Sequence, residues 1–313
     1  MASFSCQIDP VGIADEMLPT MQREVLPGTR PEGARDEREA GLRVREMFAR
    51  IAPRYDFLNH LLSFSMDRVW RHRTAKLFSE TLVRADALAL DLCCGTGDLA
   101  FALARRRARL LGGRKNRAAQ VIGSDFVEGM LVRARAKAIA GGYQVSFAGA
   151  DALALPFNDE SVDLVTSAFG FRNLSNYEHG LREFARLLKP GGEIGILEFS
   201  EPEHGWVARV FRFYFKQVLP RIGGAISGDK QAYAYLPGSV AKFPSARELS
   251  ALLERCGFID VRVHSWNFGS VLLHRAKKGV EPLATGETGS QCPNRKVPDE
   301  AKNDERKQFP RRG

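Results

Sequence analysis

Long apolar runs are missing from this sequence. Nothing approaches the roughly 18 consecutive apolar residues that a membrane-crossing helix needs, so no transmembrane segment is expected. The opening residues, Met1-Ala2-Ser3-Phe4-Ser5-Cys6, lack the basic flank and apolar centre of a signal peptide, and the expected location is the cytoplasm. Cysteine is sparse as well. There are five in 313 residues, with Cys93 and Cys94 adjacent and Cys6, Cys256 and Cys292 isolated. No pair has the spacing of a metal-ligand set or a redox motif, so reduced thiols and no metal site are expected. Acidic residues are fewer than basic ones, 37 against 46, which leaves a net charge of +9. That balance favours an anionic membrane surface, a phosphorylated ligand or nucleic acid as partner. The basic residues are dispersed, however, and no nucleic-acid-binding motif occurs, so nucleic acid is not expected. Internal repeats are absent too.

Residues 1–38 are rich in Pro, Gly, Glu and Arg without apolar periodicity and read as a disordered leader. The tail, 279–313, has the same character. Between them, 39–278 reads as one catalytic domain. Order is expected to begin near Arg43, because Val44, Met47, Phe48, Ile51 and Ala52 recur at helical spacing and stop at Pro53. An aromatic patch at Tyr55–Phe64 and a helix over about Trp70–Leu82 complete an N-terminal helical cap, 43–85. From Leu88 strands and helices alternate, with strands expected near 88–92, 120–124, 144–148, 162–168 and 193–199. Helices are expected at 127–139 and 178–188, among others. Such alternation predicts a parallel sheet with helices on both faces. Arg105–Arg117, with Gly112-Gly113 and six arginines, reads as an inserted exposed loop or frayed helix end. A second insert, 203–240, includes an amphipathic helix with Trp206, Phe211, Phe213 and Phe215 among Arg209, Arg212 and Arg221. A helix at 245–256, with Ser245 as N-cap and Gly257 as stop, leads into two β-rich runs around Asn267-Phe268-Gly269. These close the sheet as an antiparallel hairpin, making seven strands.

The chemistry centres on Leu88–Ala100, an apolar run that ends in Asp91, then the Gly95-Thr96-Gly97 turn, then helical sequence. Gly95-x-Gly97-x-x-Ala100 fits a dinucleotide fingerprint. Two carboxylates there, Asp91 and Asp98, would repel a pyrophosphate, which relies on bare amides and a helix N-terminus. An antiparallel hairpin is also foreign to dinucleotide-binding halves. S-adenosylmethionine fits better, since it brings an ammonium and a sulfonium and no phosphate. The next strand ends in Asp125, placed to accept ribose hydroxyls. The third ends at Asp151-Ala152, where a carboxylate and an amide can read an adenine edge. The fourth ends at Ala168-Phe-Gly-Phe-Arg-Asn173. Any one of these acids is also a plausible helix N-cap; four successive polar strand ends point to a site.

These motifs resemble class I methyltransferases. More narrowly, the chain resembles the ubiquinone/menaquinone biosynthesis C-methyltransferases, the UbiE/MenG/Coq5 family. The resemblance rests on Phe48-Ala-Arg-Ile-Ala-Pro-Arg-Tyr-Asp-Phe-Leu-Asn59, Phe169-Gly-Phe-Arg-Asn173, Val218-Leu-Pro-Arg-Ile-Gly223 and Gly269-Ser-Val-Leu-Leu-His-Arg275. It implies a Rossmann-like α/β fold and methyl transfer to a ring carbon of a reduced polyprenyl quinone. It assigns Thr96 and the glycine loop to the methionine part of the cofactor, Asp125 to the ribose, and Asp151 with Ala152 to the adenine. Many members carry Asn at Asp151 and some carry Ser at Ala168. A homodimer or a quinone-synthesis complex is the assembly the resemblance allows.

For the reaction, a ring carbon becomes nucleophilic when its neighbouring hydroxyl loses a proton. Arg172 is the candidate for stabilising that phenolate, since a guanidinium does not readily act as a base. Asn173 is expected to hold Arg172 or a water, and Tyr55 to cap the pocket. His60 is either a proton acceptor or a structural histidine. The 206–221 segment is either a groove for the polyprenyl tail, resting on a membrane surface, or an ordinary lid. Benzoquinol and naphthoquinol rings fit these residues equally. Another phenolic or lipid acceptor, or a non-catalytic scaffold, are the competing readings.

Overall fold

The computed structural model describes residues 28–112, 120–202, 205–218, 221 and 230–280. All belong to the unit Met1–Glu281; the second unit, Pro282–Gly313, most of the leader and residues 113–117 of the arginine-rich insert lie outside them. Arg105–Leu110 of that insert is the end of a helix with Arg107 buried, not an exposed loop.

Seven strands form one sheet: β1 (Ala89–Leu92), β2 (Val121–Asp125), β3 (Ser146–Gly149), β4 (Val162–Ala168), β5 (Leu188–Phe199), β6 (Phe258–Trp266) and β7 (Val271–Lys278). Their order is β3-β2-β1-β4-β5-β7-β6, with every pairing from β3 to β5 parallel and the last two antiparallel. This is the expected architecture. Strand order reverses at β1, which opens a crevice beyond the carboxyl ends of β1 and β4. Helices cover both faces, and β4 accordingly reads as a continuous buried run. One core packs Leu90, Leu92, Val165, Phe184 and Leu252, and the opposite one packs Ala100, Leu103, Phe78 and Leu164. Lys189–Gly192, a Pro-Gly-Gly sequence of turn type, lies within β5 as an irregularity between Leu188, opposite Val162, and Glu193, opposite Leu164.

The cap departs more from expectation. Helix α1 is Glu37–Ile51, starting well before Arg43, because the Asp36 side chain accepts from the Glu39 N–H. Its first turn is charged, so apolar spacing does not mark it. Ahead of it, residues assigned to the leader are seated on the domain: the Thr29 N–H donates to the Leu174 carbonyl at 2.7 Å. The aromatic patch is helix α2 (Tyr55–Leu62). The helix expected at Trp70–Leu82 is two, α3 (Met66–Leu77) and α4 (Ser79–Leu82), broken at Phe78. The break seats the buried Phe78 ring against Gly195, where an added Cβ would lie 2.6 Å from the ring.

Further on, α5 (Asp98–Leu110), α6 (Glu128–Gly141) and α7 (Tyr177–Leu187) are the crossover helices. The insert contributes α8 (Gly205–Phe213), a π-turn at Tyr214–Val218, and α9 (Lys230–Ala241). The closing helix, α10 (Ala246–Arg255), has the expected Ser245 cap, completed as a capping box by Glu248.

Candidate active site

Register builds the site from β1 outward. Asp91 lies opposite Gly123 on β2 and Thr166 on β4, and the Thr166 hydroxyl donates to Asp91 Oδ1 at 2.8 Å. Asp91 Oδ2 is buried with no partner. Burial pushes this carboxyl up to about 7, against the Thr166 hydrogen bond. The chain then turns through Cys93, Gly95 and Gly97, all at positive φ. Gly97 also has no room for a side chain, since a Cβ would sit 2.9 Å from the Phe101 ring. At the end of β2, Asp125 accepts from the Gly95 N–H at 2.8 Å and from the Val127 N–H at 2.9 Å. Burial outweighs these bonds and raises it to about 6.

Two cavities meet above these strand ends. The first, about 710 Å³, is a crevice lined by Gly95, Asp125, Asp151, Ala152, Asn173 and Tyr55, among others. The second, about 410 Å³, is mostly apolar and lies between the cap and the 205–240 insert. Phe48, Tyr55 and Phe169 form walls of both. Cofactor-side and substrate-side residues proposed from sequence thus converge at Tyr55.

Asp151 lines the crevice and accepts from the Leu153 N–H at 2.9 Å, and Ala152 is buried beside it. Ala168 does not line the crevice; it packs between the core beneath β4 and the Trp70 cluster. Asp91 and Gly97 do not line it, being buried behind Leu92 to Gly95 in the chain, and neither does Thr96. Its hydroxyl is bonded to Asp56 of α2 and lies 3.1 Å from Lys137 Nζ. Lys137 also reaches Asp56 at 3.0 Å and Asp98 at 2.5 Å. Asp98 is therefore neutralised by Lys137 away from the crevice, and its expected part in attracting a cationic cofactor is corrected. Helix direction explains this: Asp98 begins α5, which runs away from the strand ends. Asp125 and Asp151 remain as strand-end acids lining the crevice, with Asp91 buried at the end of β1.

Arg172 is 5% exposed and lines the apolar cavity. Its Nη1 donates to Glu198 at 2.7 Å and to the Phe169 carbonyl at 2.6 Å, while its Nε is buried without a partner. Asn173 does not hold it, contrary to expectation. The 3-10 turn at Phe171–Asn173 points successive side chains apart, and Asn173 Oδ1 accepts instead from the Tyr235 hydroxyl at 3.1 Å. That hydroxyl is also 2.8 Å from the Thr29 hydroxyl. Glu198 is the functional residue that motif reading missed; its signal is an acid inside the apolar run Ile194–Phe199. Tyr55 is pushed above its ordinary value chiefly by burial, opposed by a hydrogen bond from Asn59 and by the charges of Arg71 and Arg172. His60 lies outside the apolar cavity with Nδ1 2.9 Å from Asp67, a structural role. Burial raises the thiols of Cys93 and Cys94, and both are free.

The crevice fits S-adenosylmethionine by its lining: strand-end acids Asp125 and Asp151 for hydroxyl and amino groups, and a turn at Gly95 that admits close approach, with the unpaired Asp91 oxygen buried behind it.

Residues 34–278 match the model of the ubiE/COQ5 methyltransferase family. A demethylmenaquinone methyltransferase of Thermus thermophilus is 48% identical over 228 residues, covering 73% of this chain and 98% of the relative. The ubiquinone/menaquinone biosynthesis C-methyltransferase UbiE of Geobacter sulfurreducens is 41% identical over 245 residues, covering 78% and 91%. Among solved structures, the cyclase SpnF aligns over 82% of this chain and all of its own, with a TM-score of 0.53 and 18% identity. That likeness concerns the fold alone.

Proposed function

The chain belongs to the ubiE/COQ5 methyltransferase family, whose cofactor is S-adenosylmethionine, and we propose that it methylates a ring carbon of a reduced polyprenyl quinone precursor in menaquinone or ubiquinone biosynthesis. The relatives named demethylmenaquinone methyltransferases favour a demethylmenaquinol acceptor, with a polyprenyl benzoquinol as the second substrate. One observation carries the reading. A crevice suited to the cofactor opens, at Tyr55 and Phe169, onto an apolar cavity that contains a buried guanidinium.

S-adenosylmethionine, when bound, supplies an electrophilic methyl group. Asp91 and Asp125 hold the cofactor's charged and hydroxyl groups at the strand ends, with Gly95 and Gly97 admitting it and Asp151 and Ala152 at its adenine. Arg172 faces the quinol oxygen next to the reacting carbon. As that hydroxyl gives its proton to water at the cavity's exposed rim, negative charge develops where the guanidinium already stands. Once the ring carbon has taken the methyl group it releases its hydrogen as a proton by the same route, which restores the aromatic ring. Glu198 fixes the guanidinium so that little reorganisation is needed. Phe169 and Phe199, a tilted pair with centroids 4.5 Å apart and planes 32° apart, give the cavity an aromatic lining for the ring. Tyr55, on the cap, orients the ring against the crevice.

The polyprenyl tail needs an apolar exit. Phe64 and Phe268 line the cavity yet are 78% and 81% exposed, and Trp206 and Phe213 on α8 are also exposed. No helix among the described residues is long and apolar enough to cross a membrane. We therefore read this apolar rim as a contact with the membrane surface, made peripherally from the cytoplasmic side, where anionic lipid would favour the basic chain. From the resemblance alone we also propose assembly as a homodimer or with other quinone-synthesis proteins.

The direct test supplies methyl-labelled S-adenosylmethionine with a demethylmenaquinol and a polyprenyl benzoquinol. Label on a ring carbon is expected. Cofactor binding without transfer to either quinol would sink the proposal and leave another phenolic acceptor or a scaffold role.

A further inference from the structure

The apolar cavity contains a second buried guanidinium with no part in the chemistry above. Arg71, on α3, is 7% exposed and lines the cavity together with Arg172. Its partner is Asp67, one helical turn earlier and itself buried. Asp67 is supported in turn by His60 Nδ1 at 2.9 Å and the Ser63 hydroxyl at 2.8 Å. His60, Asp67 and Asp98 cluster closely enough to hold a metal ion, but Arg71 Nη1 occupies that charge, bonded to Asp67 and 3.9 Å from Asp98. Only Nη1 is engaged; Nε and Nη2 have no hydrogen-bond partner among the described residues. A buried ion pair is often no more stabilising than apolar side chains of the same volume, so folding alone gives little reason for it.

The position of Arg71 relative to Arg172 supplies a reason. The Arg71 guanidinium lies 5.5 Å from the Phe169 ring centre, and that of Arg172 lies 5.8 Å from the Phe199 ring centre. Those two rings pack on each other with their planes 32° apart, so the two cations flank one tilted ring pair. Both guanidiniums line the one cavity, and a 1,4-dioxygenated ring held between them would offer one oxygen to each.

We propose that Arg71 binds the acceptor oxygen across the ring from the one Arg172 stabilises, so that the cavity selects a 1,4-quinol over a monophenol. This rests on the quinol reading. Asp67, His60 and Ser63 are then positioning residues that aim the free nitrogens of Arg71 into the cavity.

The test measures binding in the presence of S-adenosylhomocysteine, which has no methyl group to donate, so that chemistry does not enter. The ligands are a short-chain 1,4-naphthoquinol and its analogue lacking the hydroxyl distant from the reacting carbon. The full chain is expected to bind the diol about 10- to 100-fold more tightly, as for a hydrogen bond to a charged group. Arg71→Gln should weaken the diol by a similar factor and leave the monophenol unchanged, and Arg71→Lys should restore part of the preference. Equal affinity of the unaltered protein for both ligands overturns the inference, whether or not Arg71→Gln folds. Equal weakening of both ligands in Arg71→Gln also overturns it, since that marks a structural role. If the unaltered protein discriminates but transfers no methyl group to the diol, the quinol reading fails while the two-cation recognition stands.

Discussion

Glu198 accepts from Arg172 twice, from its backbone N–H at 3.0 Å and from its guanidinium at 2.7 Å, with both side chains buried. One carboxylate therefore fixes both the turn after β4 and the cation that this turn presents to the cavity. Removing one partner of such a pair leaves an uncompensated buried charge.

Glu198→Ala is accordingly expected to lower stability by about 3–5 kcal/mol, measured by denaturant unfolding. Arg172→Ala should lower kcat by about 100- to 1000-fold, the usual loss for one preorganised charge-stabilising donor. Its affinity for S-adenosylmethionine should persist, since Arg172 lies on the far side of Tyr55 from the crevice. Near-normal turnover in Arg172→Ala would remove that residue from the mechanism.

Cofactor affinity should depend on pH through the two buried carboxyls. Asp91 is raised to about 7 and Asp125 to about 6, both by burial. An unfolded aspartate titrates near about 4. Because the folded values are higher, these groups favour the folded state at the acidic end. That contribution is lost as pH rises from about 4 through the folded values. A cationic cofactor has the opposite preference and binds the ionised carboxyls. Affinity is expected to rise from about pH 5.5 to 7.5, with proton release on binding. Calorimetry in buffers of different ionisation enthalpy reads both. A flat profile counts against Asp91 as the cation's partner, and Asp91→Asn should remove the component near 7.

The cap is tied to the glycine loop by Asp56, Thr96 and Lys137. Thr96→Val removes the central hydroxyl and should cost about 1 kcal/mol. The loss should appear as faster proteolysis within 37–62 and a raised KM for the quinol. Unchanged protease sensitivity would mean the cap is held by its apolar contacts alone.

Gly195 admits the Phe78 ring at the break between α3 and α4. Gly195→Val overpacks that contact and is expected to cost at least about 1–3 kcal/mol. A thermal midpoint within a degree of the parent would show that Phe78 can move aside.

Phe64→Ser with Phe213→Ser removes two exposed rings from the proposed membrane rim. Flotation with vesicles containing anionic lipid should fall, while turnover of a short-chain, water-soluble quinol is retained. Flotation equal to that of the parent would argue against the rim.

The sequence by itself determined the sheet and the cofactor side. Short apolar runs and period-3.6 patterns are local, so strands ending near Asp91, Asp125 and Gly149 could be read directly, along with the terminal hairpin. The glycine turn after Asp91 was legible for the same reason. Tertiary structure decided which polar groups face the ligand. Asp98 and Thr96 belong to the glycine motif but face Lys137 and Asp56, because α5 begins there and turns their side chains toward α2 and α6. Asn173 follows Arg172 in sequence yet bonds Tyr235, 62 residues away. Glu198 and Arg71 carry no motif; β5 brings Glu198 to Arg172, and α3 brings Arg71 to the cavity that Arg172 lines. Side-chain direction at a strand end and the pairing of distant buried charges are three-dimensional properties, which no local spacing encodes.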